Sequence, residues 1–375
     1  MQAADVVDDD AAPGSAAAER PTPAGRSTGR PGWLSFFHFR NIGAVYVWIA
    51  IIIVFSFWAP DTFPRWATVQ SVLNQNAITG IIALALVVPL SAGVFDLSVG
   101  NAMGLCNVIV AWLLVDHNMS MGPAIVITVV SGVVIGLVNA GVVVLARIDS
   151  FIATLATGSL MAAITTFFSN NQAIIGDQLN GTFGKIATKG FHGVAIPVLL
   201  MLVVAAGIWY LLKYTVTGRR IYATGFNEIG ARLTGISTRK LTFGALVVSG
   251  AVAGIAGVLL ASQVSSGSPD IGPPYLLDAF AAAFLGATQF GGRFNAWGTV
   301  IAVLLLGTGK LGLTLVNAPV WAPSMFSGVV LLFALGLGNF ERFLDARRRV
   351  KARLAAGSTP TVQPGTVPGG AGAAS

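Results

Sequence analysis

The chain is 375 residues long, 54% hydrophobic and only 10% charged, with a formal net charge of +7. Soluble domains carry about 25% charged residues, so this composition and a mean hydropathy of +0.77 exclude a soluble globular domain and indicate a polytopic membrane protein. The single cysteine, Cys106, excludes an intrachain disulfide and reads as a small buried apolar side chain.

Residues 1–42 are rich in Ala, Pro, Gly, Asp and Arg and show no apolar period. They start acidic (Asp8, Asp9, Asp10) and end basic (Arg20, Arg26, Arg30, Arg40), which fits a disordered cytoplasmic tail and not a secretory leader. About ten apolar segments follow within residues 43–341. Seven are clear: Gly43–Ala59, Gly122–Ala146, Phe151–Phe168, Ala195–Tyr214, Leu241–Gln263, Ala296–Leu315 and Ser324–Phe340. Each is close to the length that crosses a bilayer core of about 30 Å. Three more, Ala77–Ala92, Val99–Val115 and Leu277–Gly291, are shorter or interrupted by Gly and polar residues. The expected fold class is all-α, a polytopic transmembrane bundle of about ten spans with broken helices. Residues 342–375 open with a basic cluster and run on as a Gly/Ala/Pro/Thr tail.

Orientation follows from the positive charges. With the amino terminus inside and every segment crossing, 18 of the 22 Lys and Arg residues lie on the inner side. Only Arg65, Lys185 and Lys189 lie outside, and Lys310 lies within a span. This is a strong positive-inside signal and places both termini in the cytoplasm. It also excludes nucleic acid as a partner, because the basic charge lines one membrane face.

Within the apolar region, ionisable side chains cost at least about 2.5 kcal/mol each and point to function. Asp96, Asp278 and Lys310 are the candidates. Asp96 sits in a Gly-bounded break, "SAGVFDLSVG", where it either serves transport or caps the following helix. Asp278 is expected to cap a short helix over Ala279–Gly286, and Lys310 to snorkel to the outer interface. A salt bridge from Lys310 to either Asp is the alternative. Asn74, Asn76, Asn107 and Thr157 either meet a solute or bond between helices. "NAMG" at Asn101–Gly104 and "NAWG" at Asn295–Gly298 each follow a polar break and hint at two related halves. No nucleotide-binding P-loop is visible, since "GTGKL" lacks the upstream Gly and the Ser/Thr. Three scattered His and one Cys give no metal spacing. No catalytic constellation stands out, so the chain is expected to be no enzyme and to carry no metal or cofactor.

One segment is out of character. "GRRIYATGFNEIGARLTGISTRKL", Gly218 to Leu241, holds six charges in 24 residues. Asn227 is suited to N-cap, and Gly235 to end, a two-turn helix from Glu228 to Thr234. Glu228 and Arg232 stand at i, i+4, with Ile229 and Leu233 as an apolar stripe beside them. So short a helix is not stable alone in water. It needs a surface to lie on, either the feet of its own spans or another protein.

The stretch "GRRIYATGFNEIGARLTGIST" resembles the cytoplasmic loop of monosaccharide-type ABC transporter permeases, the binding-protein-dependent inner-membrane components. Gly218, Arg219, Ile221, Tyr222, Ala223, Gly225, Asn227, Ala231, Arg232, Leu233, Gly235 and Ile236 match that pattern, while Phe226 and Ile229–Gly230 depart from it. "AGVFDLSVGNAMG", "DSFIATLATGSL", "YLLDAFAAAFLGATQFGGRFNAWGT" and "GLTLVNAPVW" resemble the same family in the same order. Asp149 stands where the family has Pro, and Lys310 where Asn is common. The resemblance spans about Val69 to Phe340.

It implies a homodimer in a bacterial cytoplasmic membrane, in contact with membrane lipid. The segment 215–241 would then dock on an ABC ATPase subunit through Asn227, Glu228, Ile229, Ala231, Arg232, Leu233, Gly235 and Ile236. An extracytoplasmic binding protein would deliver a monosaccharide or similar small polar solute to the loops Ser169–Ala195 and Val264–Tyr275. Asp96, Ser98, Asn101, Asp278 and Thr288 would line the pathway. Related permeases carry nucleosides, a furanosyl signal molecule or, more distantly, branched-chain amino acids. An ion-coupled secondary transporter using Asp96 or Asp278 is the competing class. A channel or membrane scaffold finds no support in the sequence.

Overall fold

The computed structural model describes residues 39–336 apart from 192, 290, 291 and 335. Most of both expected tails falls outside these residues, although helix α1 (Phe39–Trp58) already begins inside the range assigned to the first tail. The remaining helices are α2 (Trp66–Ser91), α3 (Val99–Val115), α4 (Met121–Ala140), α5 (Ser150–Ser169), α6 (Asp177–Asn180), α7 (Gly184–Thr188), α8 (Ile196–Tyr214), α9 (Val216–Phe226), α10 (Glu228–Leu233), α11 (Thr238–Val264), α12 (Pro273–Ala287), α13 (Ala296–Leu315) and α14 (Ala322–Ala334). A π turn, Gly141–Leu145, extends α4. Strands β1 (Gly190–Phe191) and β2 (Val194–Ala195) pair antiparallel between α7 and α8. The described chain is otherwise helical.

Among the described residues, six helices are long and apolar enough to cross a membrane: α2, α4 with its π turn, α5, α8, α11 and α13. The apolar part of α1 (Gly43–Trp58), α3 and α14 are shorter apolar helices. The α2 boundary differs from the apolar segment Ala77–Ala92. Gln70, Asn74, Gln75 and Asn76 dilute its hydropathy, yet the helix continues through them to Trp66. Two of those amides explain why it can. Asn76 Nδ2 donates to its own helix at Val72 O (2.8 Å), and Asn74 bonds the β hairpin at Gly193 O (3.0 Å) and Ala195 N (2.9 Å).

Helix α2 is the central post. Every residue from Ala77 to Ser91 is buried, as expected of a helix that is apolar all round. It packs on α8, α11, α12 and α13. Beside it, α4 and α11 approach through glycines. A methyl built on Gly132 would lie 2.6 Å from Gly250 O, and one built on Gly250 would lie 2.5 Å from Gly132 O. Gly132-x3-Gly136 facing Gly250-x3-Gly254 is the small-residue spacing that lets helices touch backbone to backbone where lipid gives no hydrophobic drive.

The short helices α6 and α7 form a cap over the far end of α3, burying Leu179 and Phe183 against Val108, Ala111 and Leu114. Ile174 and Gly267 form an isolated bridge (2.8 and 2.9 Å) that ties this cap to the loop after α11. At the opposite end of the bundle lie α9 and α10. Helix α10 was expected from the sequence; α9, an amphipathic helix over "VTGRRIYATGF", was not. Thr215 caps it through Gly218 N (3.0 Å).

Candidate functional site

The break between α2 and α3 is built by backbone chemistry. Val94 N bonds Pro89 O (2.9 Å) and Gly93 N bonds Leu90 O (3.1 Å), with Gly93 at φ +79. This is a Schellman stop, which needs a residue tolerant of the left-handed region. The chain then turns back, and α5 satisfies its freed amides. Phe95 N reaches Ser150 Oγ (3.2 Å) and Leu97 N reaches Thr154 Oγ1 (3.0 Å).

Asp96 is thereby set at the junction of α3, α4 and α11, only 1% exposed. Its Oδ1 accepts from Ser98 N (3.1 Å) and Ser98 Oγ (2.6 Å), and its Oδ2 from Ser249 Oγ (2.6 Å). Asn139 Nδ2 donates to Ser98 Oγ (2.7 Å), while Asn139 Oδ1 is buried without a partner. Among the described residues no Lys or Arg pairs with Asp96. The carboxylate turns the chain into α3 much as a cap would, and it also pins α11 through Ser249. Asn101 lies close by: a methyl built on Gly158 of α5 would lie 3.1 Å from its Nδ2.

Asp278 departs from expectation. It lies inside α12, which begins at Pro273, so it does not cap Ala279–Gly286. Proline at the first helical positions starts the helix earlier than the carboxylate suggests. Lys310 does not snorkel either. Its Nζ meets Asp278 Oδ2 at 2.5 Å, across α12 and α13. A neighbouring opposite charge, absent from the linear sequence, is a closer partner than the interface. Thr288 ends α12 and is held locally, its Oγ1 donating to Leu285 O (2.7 Å) and accepting from Gln289 Nε2 (2.7 Å).

Asn74 and Asn107 act as amide clamps on the loops. Asn107 holds Ser266 O (3.1 Å) and Ser268 N (2.8 Å). Thr157 bonds within its own helix, to Thr154 O. The two halves hinted at by "NAMG" and "NAWG" are not alike in detail: Asn101 lies in the first turn of α3, whereas Asn295 caps α13 through Gly298 N (2.6 Å). A cavity of about 430 Å³ between α1, α2 and α13, lined by Trp48, Phe63, Trp66 and Thr308 among others, touches neither Asp96 nor Asp278.

The charged segment forms as read. Asn227 Oδ1 accepts from Gly230 N (2.9 Å), Gly235 has φ +81, and Glu228 pairs with Arg232. Glu228 also accepts from Thr238 Oγ1 (3.2 Å), tying α10 to the foot of α11. Ala231 is buried, but Phe226, Ile229 and Leu233 are 94%, 73% and 84% exposed. The apolar stripe therefore does not lie on the spans of its own chain.

Helix α9 links this stripe to both breaks. A methyl on Gly225 would lie 2.2 Å from Ser91 O and 2.9 Å from Gly93 N, so the two backbones touch. Tyr222 OH donates to Phe294 O (2.6 Å) in the turn before α13, with Arg293 over its ring (5.7 Å). Burial raises the Tyr222 phenol above its ordinary value. Gly93, Ser249, Asn139 and the Gly225 contact were missed by sequence reasoning. Only the polarity of Ser249 and Asn139 within apolar segments marked them at all.

Comparison with known proteins fits this geometry. The sequence pattern of a family described as "Branched-chain amino acid transport system / permease component" matches residues 68–335. The chain belongs to this permease family. It is similar to the ribose import permease protein of Escherichia coli strain K12, at 31% identity over 324 residues, covering 85% of this chain and 98% of the relative. The L-arabinose ABC transporter permease protein of Azospirillum brasilense is 29% identical over 312 residues, covering 82% and 90%. The autoinducer 2 import system permease protein of Salmonella paratyphi A is 28% identical over 299 residues, covering 76% and 90%. No solved structure matches. The chain is thus a multi-pass membrane transport subunit of bacterial type, with ATP hydrolysis belonging to a separate protein.

Proposed function

We propose that the chain forms the translocation pathway of an ATP-driven importer for a monosaccharide or similar small polar solute. In this reading it has ten spans with both termini cytoplasmic, pairs as a homodimer, and places residues 215–241 at the ATPase. The observation that carries the reading is the apolar trio Phe226, Ile229 and Leu233, left open at the end of α9 and on the short capped helix α10 beside an ion pair. A two-turn helix is unstable alone, and its exposed apolar side fits a groove on a cytoplasmic ATPase. The sugar class is supported by the names of the ribose and arabinose relatives.

Movement of the ATPase would act on α10 and pass through α9. Its rigid contacts, Gly225 on Gly93 and Tyr222 on Phe294, deliver that movement to the ends of α2 and α13. Asp96 lies three residues beyond Gly93, so the polar junction of α3, α4 and α11 would be the hinge about which access alternates. The joined outer loops, Ser169–Ala195 and Val264–Tyr275, would receive the binding protein.

The test is purification of the complex in mild detergent. A stoichiometric ATPase should accompany the wild-type chain and be lost from an Ile229→Asp/Leu233→Asp variant that still inserts. A chain that purifies alone, with uptake driven by a proton or Na⁺ gradient, would refute the reading and favour ion coupling at Asp96 or Asp278.

A further inference from the structure

The two acidic sites differ in what they leave open. Asp96 is closed: both carboxylate oxygens accept from serine hydroxyls and the side chain is 1% exposed. The Asp278–Lys310 pair keeps 20% and 27% of its side-chain surface accessible. Its hydrogen bonding is also unfinished. The ammonium carries three donors and, among the described residues, uses one on Asp278 Oδ2, while Oδ1 has no hydrogen-bond partner there.

Lys310 stands five residues before the end of α13 at Leu315, about 7 Å along the axis. Charged side chains within spans face a bundle interior or a water-filled cavity, or snorkel where they lie near a helix end. A lipid-facing lysine would extend its stem toward the interface, whereas this one is drawn sideways onto Asp278. Tyr275 stands three residues before Asp278 on α12, a spacing at which side chains are neighbours on one helix face. An aromatic ring beside free donors and a free acceptor is the surface that a polyhydroxylated molecule fits: its C–H face stacks on the ring and its hydroxyls take charge-assisted hydrogen bonds.

We propose that Tyr275, Asp278 and Lys310 form a solvated contact point for a polyhydroxylated solute on the pathway, the ammonium and the free carboxylate oxygen bracketing neighbouring hydroxyls. This rests on the permease reading and assigns Lys310 a role in specificity.

The test uses the full complex in membrane vesicles. Lys310→Cys and Asp278→Cys are treated with a membrane-impermeant charged methanethiosulfonate. The wild type is the blank, because Cys106 is fully buried, and Val203→Cys on the exposed apolar face of α8 is the lipid-facing control. Both pair positions should react at least about tenfold faster than Val203→Cys, since the reagent cannot enter hydrocarbon. D-ribose or L-arabinose, whichever the wild type accumulates, should slow that reaction. Labelling no faster than the control, or fast labelling that the transported sugar leaves unchanged, would overturn the proposal. So would full wild-type uptake by the swapped pair Asp278→Lys/Lys310→Asp, which rebuilds the ion pair but exchanges donors and acceptor. If the wild type accumulates neither sugar, the sugar reading of the function fails, while the labelling rates still separate a solvated pair from a lipid-facing one.

Discussion

Gly225→Ala is the most direct test of how the cytoplasmic helix reaches the membrane hinge. The added methyl would lie 2.2 Å from Ser91 O, 2.9 Å from Gly93 N and 3.0 Å from Ala92 C, all of them backbone atoms. No side chain can rotate away, so α9 must shift off the turn that ends α2. Overpacking of this kind costs about 1–3 kcal/mol. If that strain falls on one access state more than on the other, it changes their ratio by about 5- to 150-fold. The ATPase should still bind, because Phe226, Ile229 and Leu233 are untouched. Solute uptake per ATP hydrolysed, measured in proteoliposomes, should therefore drop while co-purification remains complete. Gly207→Ala is the control, since its methyl would meet nothing within 4 Å. Wild-type uptake and coupling in Gly225→Ala would refute the idea that this contact transmits motion.

The same geometry fixes the outcome of changes elsewhere in the chain. Ile229→Asp/Leu233→Asp should weaken ATPase association by about 100-fold or more in a pull-down, from the loss of two buried apolar side chains worth about 1.5–3 kcal/mol each. Arg232→Ala should barely change the helix itself, because an exposed i, i+4 pair contributes only about 0.3–0.5 kcal/mol, so any large loss of binding on that change would report docking. Ser249→Ala leaves Asp96 Oδ2 without its donor and should cost about 1–3 kcal/mol, read as a lower melting temperature in detergent. Asp96→Asn should cost less, since its amide can still bond both serines. Gly250→Leu should prevent folding, as its side chain would enter the backbone of α4, whereas Gly244→Leu, in open space, should be stable.

Much of the molecule was legible in the chain. Long apolar runs have one physical use, so the membrane class and most helix positions followed from composition and length. The α10 helix was legible because its signals are local: Asn227 caps it, Gly235 ends it, and Glu228 reaches Arg232 within one turn. Helix α9 and the first half of α2 were not: two glycines interrupt the amphipathic pattern of α9, and the amides of α2 lower its hydropathy, Asn74 finding its partners in the β hairpin. Asp278 and Lys310 were both singled out, but their preferred partners were wrong. They lie 32 residues apart, and only the antiparallel packing of α12 on α13 brings them together.

The sequence by itself determined that the protein is a polytopic membrane protein with a charged, capped helical segment, and its motifs resembled a permease family, since hydropathy, charge and capping depend on residues near one another in the chain. The tertiary structure decided which polar groups are spent and which remain open. Asp96 and Asp278 carry the same side chain, yet one is closed by Ser98 and Ser249 and the other holds a partly exposed ammonium. That difference arises from backbone approaches fixed by glycines on separate helices, and no local pattern encodes it.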